Sequence, residues 1–199
     1  MKEYSQLLTQ LNNEIWDFAA LKFCEHRSAE AMEKVLREQG FAVETGLAGM
    51  DTAFIARAGS GHPVIGLLAE FDALSGLSQC ADVAVACPRE GTGNGHGCGH
   101  NLLGTASVGA ALMLRDYLQE SGRPGTVVLV GCPAEEGGSG KTYLARAGVF
   151  DELDLALTWH PGGGNAVVTG SMQANCHAYF RFKGKSAPAA PPPQLARSA

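Results

Sequence analysis

Residues 64–70, with the sequence VIGLLAE, decide the fold of this 199-residue chain. Apolar residues and one glycine follow one another without a polar residue until the final glutamate. A strand with one face in water alternates apolar and polar residues, whereas a strand covered on both faces is apolar nearly throughout. We therefore predict a central strand here, within a sheet that has helices on both faces.

The segments around this strand alternate between strand-like and helix-like patterns. Apolar runs predict further strands at TAFIARA (52–58), TVVLVGC (126–132), LDLALTWH (153–160), AVVTG (166–170) and CHAYFRFKG (176–184). Helical spacing predicts helices over residues 4–23, 102–119 and 141–150, and one that Ser28 caps and that ends at Gly40. This order predicts the α/β class, as a three-layer α/β/α domain with a largely parallel sheet.

Composition excludes several classes of function. Apolar residues make up 45% of the chain and charged residues 18%, which is typical of a folded globular protein. The net charge of −5 comes without a basic stripe, so nucleic acid is not an expected partner. No apolar run approaches the roughly 18 residues of a membrane span. The start, MKEYSQLLTQLNNEIW, lacks the apolar core of a signal peptide, so we expect a cytoplasmic protein without a membrane partner.

The six cysteines are scattered and form no CxxC pair. In a chain without an export signal we expect free thiols rather than disulfides. Five of them are expected to be small buried apolar residues, and only Cys98 has neighbours that suggest chemistry.

Ionisable residues follow each of the buried strands at its carboxyl end, where open α/β sheets collect their ligands. The loop GHGCGHN (95–101), which leads into the helix over 102–119, adds a cysteine and histidines. We expect one edge of the sheet to bring together Glu70, Asp72, Cys98, His100, Glu135, Glu136 and His160.

These residue types suit a metal site. Cys98 and His100 are two positions apart, so in an extended loop both side chains lie on the same side. The adjacent Glu135 and Glu136 point in different directions on extended backbone, so that one can bind a metal while the other faces water. His96 is a further candidate ligand, whereas surface or structural roles are expected for His26, His62 and His177.

Each feature also has a simpler interpretation. Cys98 and His100 would also suit a turn with a buried thiol. The Glu135–Glu136 pair would suit a solvated acidic turn. Glu70 and Asp72 would suit a strand-end cap or an ion pair. The stretch GCPAEEGGSGKT (131–142) is similar to a phosphate-binding loop, but Glu135 stands where that loop needs glycine, and carboxylates repel phosphate. A hydrolase with Cys98 as nucleophile is a third, minor hypothesis.

Several stretches together resemble the M20 family of metallopeptidases and amidohydrolases, and within it the aminoacylase-like branch, which includes dipeptidases. They are LAEFDALSGLSQ (68–79), GNGHGCGHNLLGTA (93–106), PAEEGGSGK (133–141), TWHPGGGN (158–165) and FKGKSA (182–187). Their order and spacing fit the family over residues 60–187, and the combination is specific.

The resemblance implies a metal-dependent amidohydrolase or dipeptidase that cleaves the amide bond of an N-acyl amino acid or dipeptide-like substrate. It implies two divalent metal ions, zinc or manganese, with a homodimer formed through a lid domain in full-length relatives. Glu135 matches the general base and Glu70 a supporting acidic residue, while Asp72 is a weaker candidate next to the ligands. The positions that match metal ligands are Cys98, His100, Glu136 and His160.

Two departures from the family also shape the expectation. Relatives are about twice as long, so we expect residues 1–180 to be the metal-binding part of the catalytic domain and 181–199 the start of a truncated lid, with one histidine ligand lacking. Pro188 stands where relatives carry a histidine thought to stabilise the oxyanion. A truncated, non-catalytic metal-binding remnant is therefore the alternative hypothesis.

Overall fold

The structure, a computed structural model, describes residues 3–167, 170–171 and 173–184. Its helices are α1 (Ser5–Phe18), α2 (His26–Glu38), α3 (His100–Ser121), the single turn α4 (Glu135–Gly138) and α5 (Gly140–Arg146), with a 3-10 turn at Leu47–Gly49. Its strands are β1 (Ala42–Thr45), β2 (Phe54–Ser60), β3 (Val64–Ala69), β4 (Gly125–Gly131) and β5 (Leu155–Leu157).

The five strands form one mixed sheet in the order β1-β2-β4-β3-β5. β3 lies parallel to β4 on one side and to β5 on the other, with Leu67 opposite Leu129 and Leu157. β2 is antiparallel to β4, and the unpredicted strand β1 is antiparallel to β2. The α/β class is therefore confirmed, and the parallel half of the sheet is the half built from the VIGLLAE strand and its two neighbours.

Helices cover both faces of the sheet, as the three-layer prediction requires. On one face α1, α2 and α3 enclose a buried cluster that includes Ile15, Met32 and Leu112 against Phe54 and Leu129. On the other face α5 and the chain after it cover a smaller cluster, which includes Leu144 and Val130. Both faces of β4 are therefore buried, which explains why its sequence lacks the alternation of a half-exposed strand.

Glycine lets α3 approach the end of β3 closely. A β-carbon at Gly104 would lie 2.6 Å from the carbonyl oxygen of Glu70, which is closer than two such atoms can pack. The first turn of α3 therefore rests directly on the residues that follow β3, and His100 at the start of α3 lies beside them.

Three local predictions were wrong. Helix α2 begins at His26 with Glu25 as its N-cap, so Ser28 lies buried inside the helix rather than capping it. β5 is not buried, because it is an edge strand in which Leu155 and Leu157 are 48% and 47% exposed. Residues 176–184 are described and do not form the strand expected there.

The cysteines differ from the expectation of free thiols. Cys80 and Cys87 form a disulfide that closes a short loop, with 5.4 Å between their α-carbons. They stand seven positions apart, and the loop between them folds back so that Cys80 N–H donates to the Cys87 carbonyl. Cys132 is buried as expected, whereas Cys24 and Cys176 are exposed.

The chain divides into two compact units, residues 1–165 and 166–199. The first contains all the helices and strands described above. The predicted domain boundary after residue 180 stays a prediction, and Pro188 lies outside the described residues. Within the part of the chain that the structure describes, no helix has the length and apolar character needed to span a bilayer.

Candidate metal centre

The parallel strands β3, β4 and β5 deliver ionisable residues to one edge of the sheet. Glu70 and Asp72 follow β3, the Glu135–Glu136 pair follows β4, and His160 follows β5. This is the convergence that the sequence predicts, since parallel strands end at the same edge.

Two glycines allow the loop that contains Cys98 (residues 95–101), called the cysteine loop below, to reach this edge. Gly99 caps α3 with a φ of 83°, and a β-carbon there would lie 2.8 Å from the Pro161 side chain. A β-carbon at Gly95 would lie 2.0 Å from the Leu77 carbonyl oxygen. The loop can therefore pack against Pro161, which follows β5, and against Leu77 only because these positions lack side chains.

Cys98, His100 and His160 form a compact group of potential ligands. Their ligand atoms all lie within 4.8 Å of one another. Cys98 Sγ lies 3.3 Å from His160 Nε2, and the two imidazole rings pack edge-to-face with 5.6 Å between their centroids. A thiolate and two imidazoles are ligands that suit zinc.

His100 is fully buried, and its two ring nitrogens have different surroundings. Nδ1 lies 3.0 Å from Asp72 Oδ1, the arrangement by which a carboxylate orients a metal-binding histidine. Nε2 lies 3.1 Å from Glu70 Oε2 and 3.8 Å from Glu135 Oε2, without forming a hydrogen bond. The ligand atoms of Glu70, His100 and Glu135 form a second compact group within 4.8 Å.

The turn α4 presents the acidic pair with its two carboxylates in different environments. Glu136 donates its backbone N–H to Asp72 Oδ2 over 2.8 Å, and its side-chain Oε1 is buried without a hydrogen-bond partner. The side chain of Glu135 is 43% exposed. The backbone here is a tight turn rather than the extended chain we expected. The two carboxylates still differ, because Glu136 has a buried oxygen whereas Glu135 combines an exposed side chain with an oxygen 3.8 Å from His100 Nε2.

Two buried atoms at this site have no hydrogen-bond partner, and this favours a bound cation. His100 Nε2 and Glu136 Oε1 are both strong acceptors, and a buried acceptor left alone is costly. A divalent ion beside either atom would satisfy that atom; Glu136 belongs to neither of the two compact ligand groups found among the described residues. The donor set of thiol, imidazole and carboxylate groups therefore fits a transition-metal ion on chemical grounds as well.

The pKa values at the site reflect its crowded negative charge. Burial, a hydrogen bond with Glu136 and the nearby carboxylates raise the pKa of Cys98 to about 11. Burial and the charge of Glu70 raise the pKa of Glu135. Burial by itself would lower the pKa of His100, but the hydrogen bond and charge of Asp72 outweigh it and raise the pKa. Bound cations would favour the charged forms of Cys98 and Glu135.

The site also contains a cation that was not predicted from the sequence. The Lys141 ammonium forms an ion pair with Glu70 Oε1, while the other oxygen of Glu70 faces His100. Lys141 stands in the stretch that resembles a phosphate-binding loop, so the signal was a lysine just after the acidic pair. In the folded chain it balances part of the charge of the carboxylates.

His96 lies outside both ligand groups. Its Nε2 is 3.0 Å from the Ile15 carbonyl oxygen, and its ring stacks against Trp16. Burial lowers the pKa of His96 to about 4, so the ring is neutral at neutral pH. It connects the cysteine loop to the end of α1 as a structural histidine.

Residues 66–197 match the model of peptidase family M20/M25/M40. The chain therefore belongs to this family of peptidases and related hydrolases. The family model spans β4, β5, all of β3 after its first two residues, and every candidate ligand named above.

Relatives with known names cover nearly the whole chain. It is 48% identical over 197 residues to one of the subunits of the p-aminobenzoyl-glutamate hydrolase of Escherichia coli, over 98% of this chain and 40% of that protein. It is 31% identical over 201 residues to the Xaa-Arg dipeptidase of Mus musculus, over 94% of this chain and 42% of the relative. The chain thus spans about two fifths of the length of these relatives.

Solved structures share the fold. A dinuclear metal-binding peptidase of the M20 family from Bacillus subtilis superposes with a TM-score of 0.62 at 23% identity, over 77% of this chain and 43% of that one. An aminobenzoyl-glutamate utilization protein from Klebsiella pneumoniae gives a TM-score of 0.57 at 16% identity, over 80% of this chain and 44% of that one. At these identities the likeness supports the fold, which agrees with the α/β prediction.

Proposed function

We propose that this chain is the metal-binding part of a hydrolase that cleaves the amide bond of an N-acyl amino acid or a dipeptide-like substrate. The observation that carries the proposal is the close group of Cys98, His100 and His160 beside the Glu135–Glu136 turn. Membership of the M20 family and the activities in the names of its relatives point to the same chemistry.

In this proposal the residues of the site divide into two roles. Cys98, His100, Glu136 and His160 hold two divalent ions, while Glu70 and Asp72 support them and Asp72 orients the ring of His100. When bound, such ions polarise an amide carbonyl and lower the pKa of a water molecule. The soft sulfur of Cys98 favours zinc over manganese.

Glu135 is the proposed general base. Its exposed carboxylate can accept a proton from a water molecule as the water oxygen bonds to the amide carbon. When the carbon–nitrogen bond breaks, Glu135 returns that proton to the leaving amine nitrogen. One water is consumed, and a carboxylic acid and an amine are formed.

The substrate class rests on the relatives, whose names specify aminobenzoyl-glutamate, Xaa-Arg dipeptides and N-acetyl-L-cysteine. All three contain an amide to an amino acid, and this shared group is the substrate feature that we propose. Two of the relatives are named as different subunits of one hydrolase, so a second family member is a candidate partner alongside a homodimer. The cytoplasmic location stays a prediction.

Metal analysis is the first test. The metal-free chain would be titrated with zinc or manganese by calorimetry, and its stoichiometry compared with that of His100→Ala and the control His62→Gln. His62 is an exposed histidine paired with Asp154, away from the candidate ligands. We expect binding in the wild type and control and strong loss in His100→Ala. Equal binding by all three would contradict the proposed site.

Hydrolysis is the second test, with N-acetyl amino acids and dipeptides as substrates, with and without chelator. We expect turnover that the chelator abolishes and that Glu135→Gln lowers by at least about a hundredfold. Metal binding without turnover would favour the non-catalytic remnant. Turnover that survives chelation but is lost on thiol alkylation would favour the nucleophilic cysteine instead.

A further inference from the structure

Glu25 is a buried carboxylate that the proposed mechanism does not use. It stands at the N-cap position of α2, it is fully buried, and it lies far along the chain from the candidate site. Carboxylates are seldom buried in this way unless they are held by specific partners. Oε2 accepts a hydrogen bond from the Thr52 hydroxyl over 3.0 Å, and Oε1 accepts one from the Ala134 backbone N–H over 2.8 Å.

Ala134 is the residue directly before the proposed base. Its backbone has φ 58° and ψ 41°, a left-handed conformation that residues with a β-carbon resist. The chain must turn here to leave β4 and enter α4, so an outside contact is needed to hold this conformation. The hydrogen bond from Ala134 to Glu25 is such a contact, across 109 residues of sequence.

Carboxylates bind the backbone on both sides of Glu135. Glu25 accepts from Ala134 N–H, and Asp72 accepts from Glu136 N–H, each over 2.8 Å. We call this pair, Glu25 and Asp72, the acidic clamp. Asp72 is also tied to His100, whereas the described contacts of Glu25 are with Thr52 and the turn. Among the described residues, the Glu25 side chain makes its hydrogen bonds to Thr52 and the turn rather than to a proposed ligand, while the charge of Asp72 acts on Glu25.

We propose that Glu25 is a positioning residue: through the Ala134 N–H it holds the turn that aims Glu135 at the reacting water. The inference rests on the proposed function, in which Glu135 is the base. A base must lie within hydrogen-bond reach of its proton, so a small displacement of the turn lowers kcat. Metal binding and KM are expected to change little, because Glu136 keeps its own contact with Asp72.

Two substitutions at Glu25 separate positioning from folding. Glu25→Ala removes both hydrogen bonds, whereas Glu25→Gln keeps an oxygen for Ala134 N–H and an amide that can donate to Thr52. Thr52→Val is the matched control, since it breaks the Thr52 contact and leaves the Ala134 contact in place. All three are compared with wild type and Glu135→Gln in kcat, KM, zinc stoichiometry and amide hydrogen exchange at Ala134.

We expect Glu25→Ala to lose kcat by about tenfold to a hundredfold, with KM and zinc stoichiometry within about twofold of wild type. Its Ala134 amide should exchange faster, and Glu25→Gln should restore both properties. Thr52→Val should retain slow exchange at Ala134 and most of kcat. An unchanged Ala134 exchange rate in Glu25→Ala, or an equal loss of kcat in Thr52→Val, would overturn the inference.

The same series distinguishes this inference from the proposed function. If wild type and Glu135→Gln hydrolyse the amides equally, the proposed function fails, because the base is then not Glu135. If Glu135→Gln is inactive while Glu25→Ala keeps the kcat of wild type, only the positioning role of Glu25 fails. If the wild type shows no turnover, the Ala134 exchange rates decide whether Glu25 holds the turn.

Discussion

The sulfur of Cys98 lies 3.3 Å from Nε2 of His160, although 62 residues separate them along the chain. Neither side chain lies in a helix or strand: Cys98 belongs to the loop before α3, and His160 follows the edge strand β5. Their proximity depends on Gly99, which packs against Pro161. This is the contact on which the metal-centre proposal depends most directly.

Replacing the cysteine of this pair should change the metal spectrum. In cobalt-substituted wild type we expect a sulfur-to-cobalt charge-transfer band, and Cys98→Ser should lack it because the hydroxyl is a poor ligand. Losing a residue that only hydrogen-bonds to a metal ligand can lower the metal affinity by about tenfold, so losing the ligand itself should lower it at least as much. Cys24→Ser, at an exposed free cysteine, should keep the band. A band of equal strength in Cys98→Ser would exclude the sulfur as ligand.

Gly104→Ala tests how α3 is seated on β3. The added β-carbon would lie 2.6 Å from the Glu70 carbonyl, a backbone atom that cannot rotate away. We expect a loss of about 1–3 kcal/mol in the free energy of unfolding, with weaker zinc binding because His100 moves. Gly109→Ala is the control in the same helix, since its β-carbon meets the flexible end of Leu8. For Gly109→Ala, urea unfolding should show a small loss of stability and calorimetry a small change in zinc affinity. Equal losses in the two variants would contradict this packing.

Tyr4→Phe tests the buried network that ties the start of the chain to α3. The Tyr4 hydroxyl donates to Asp116 Oδ2 over 2.7 Å and accepts from Arg115 Nη2 over 2.8 Å. Removing it leaves buried charged groups short of a partner, so unfolding should become easier by about 1–3 kcal/mol. Tyr117→Phe, at a tyrosine that is 46% exposed, should change stability by much less. Urea unfolding of the two variants makes the comparison, and equal losses would show that the network contributes nothing specific.

The pH dependence of stability should reveal the buried Glu25. Burial raises the pKa of Glu25 above its usual 4.5, so the folded chain holds the proton more tightly than the unfolded chain. The contribution of Glu25 to stability therefore falls as pH rises from the unfolded to the folded pKa, and stays low above it. Glu25→Gln lacks this penalty, so its stability relative to wild type should increase as the pH is raised from 4.5 towards neutrality. The measurement is urea unfolding of both proteins across this pH range. If the carboxylate were not buried in the folded state, the difference in stability between Glu25→Gln and wild type would stay constant or fall with pH.

By itself, the sequence determined the class of fold and most of its elements. Continuous apolar runs predicted β3 and β4 and helical spacing predicted α1, α2, α3 and α5, because buried strands and amphipathic helices leave distinct local patterns. The rule that parallel strands end at one edge then predicted which residues meet. For this reason the sequence predicts that Glu70, Cys98 and His160 lie at one edge of the sheet.

Tertiary structure decided the features that depend on distant partners. The direction of β2, the edge position of β5 and the Cys80–Cys87 pair depend on which segments become neighbours, and short local patterns do not encode this. The same holds for Lys141 beside Glu70 and for Glu25 beneath the acidic turn. A carboxylate is polar wherever it stands in a sequence, and only packing decides whether it faces water or holds a backbone amide 109 residues away.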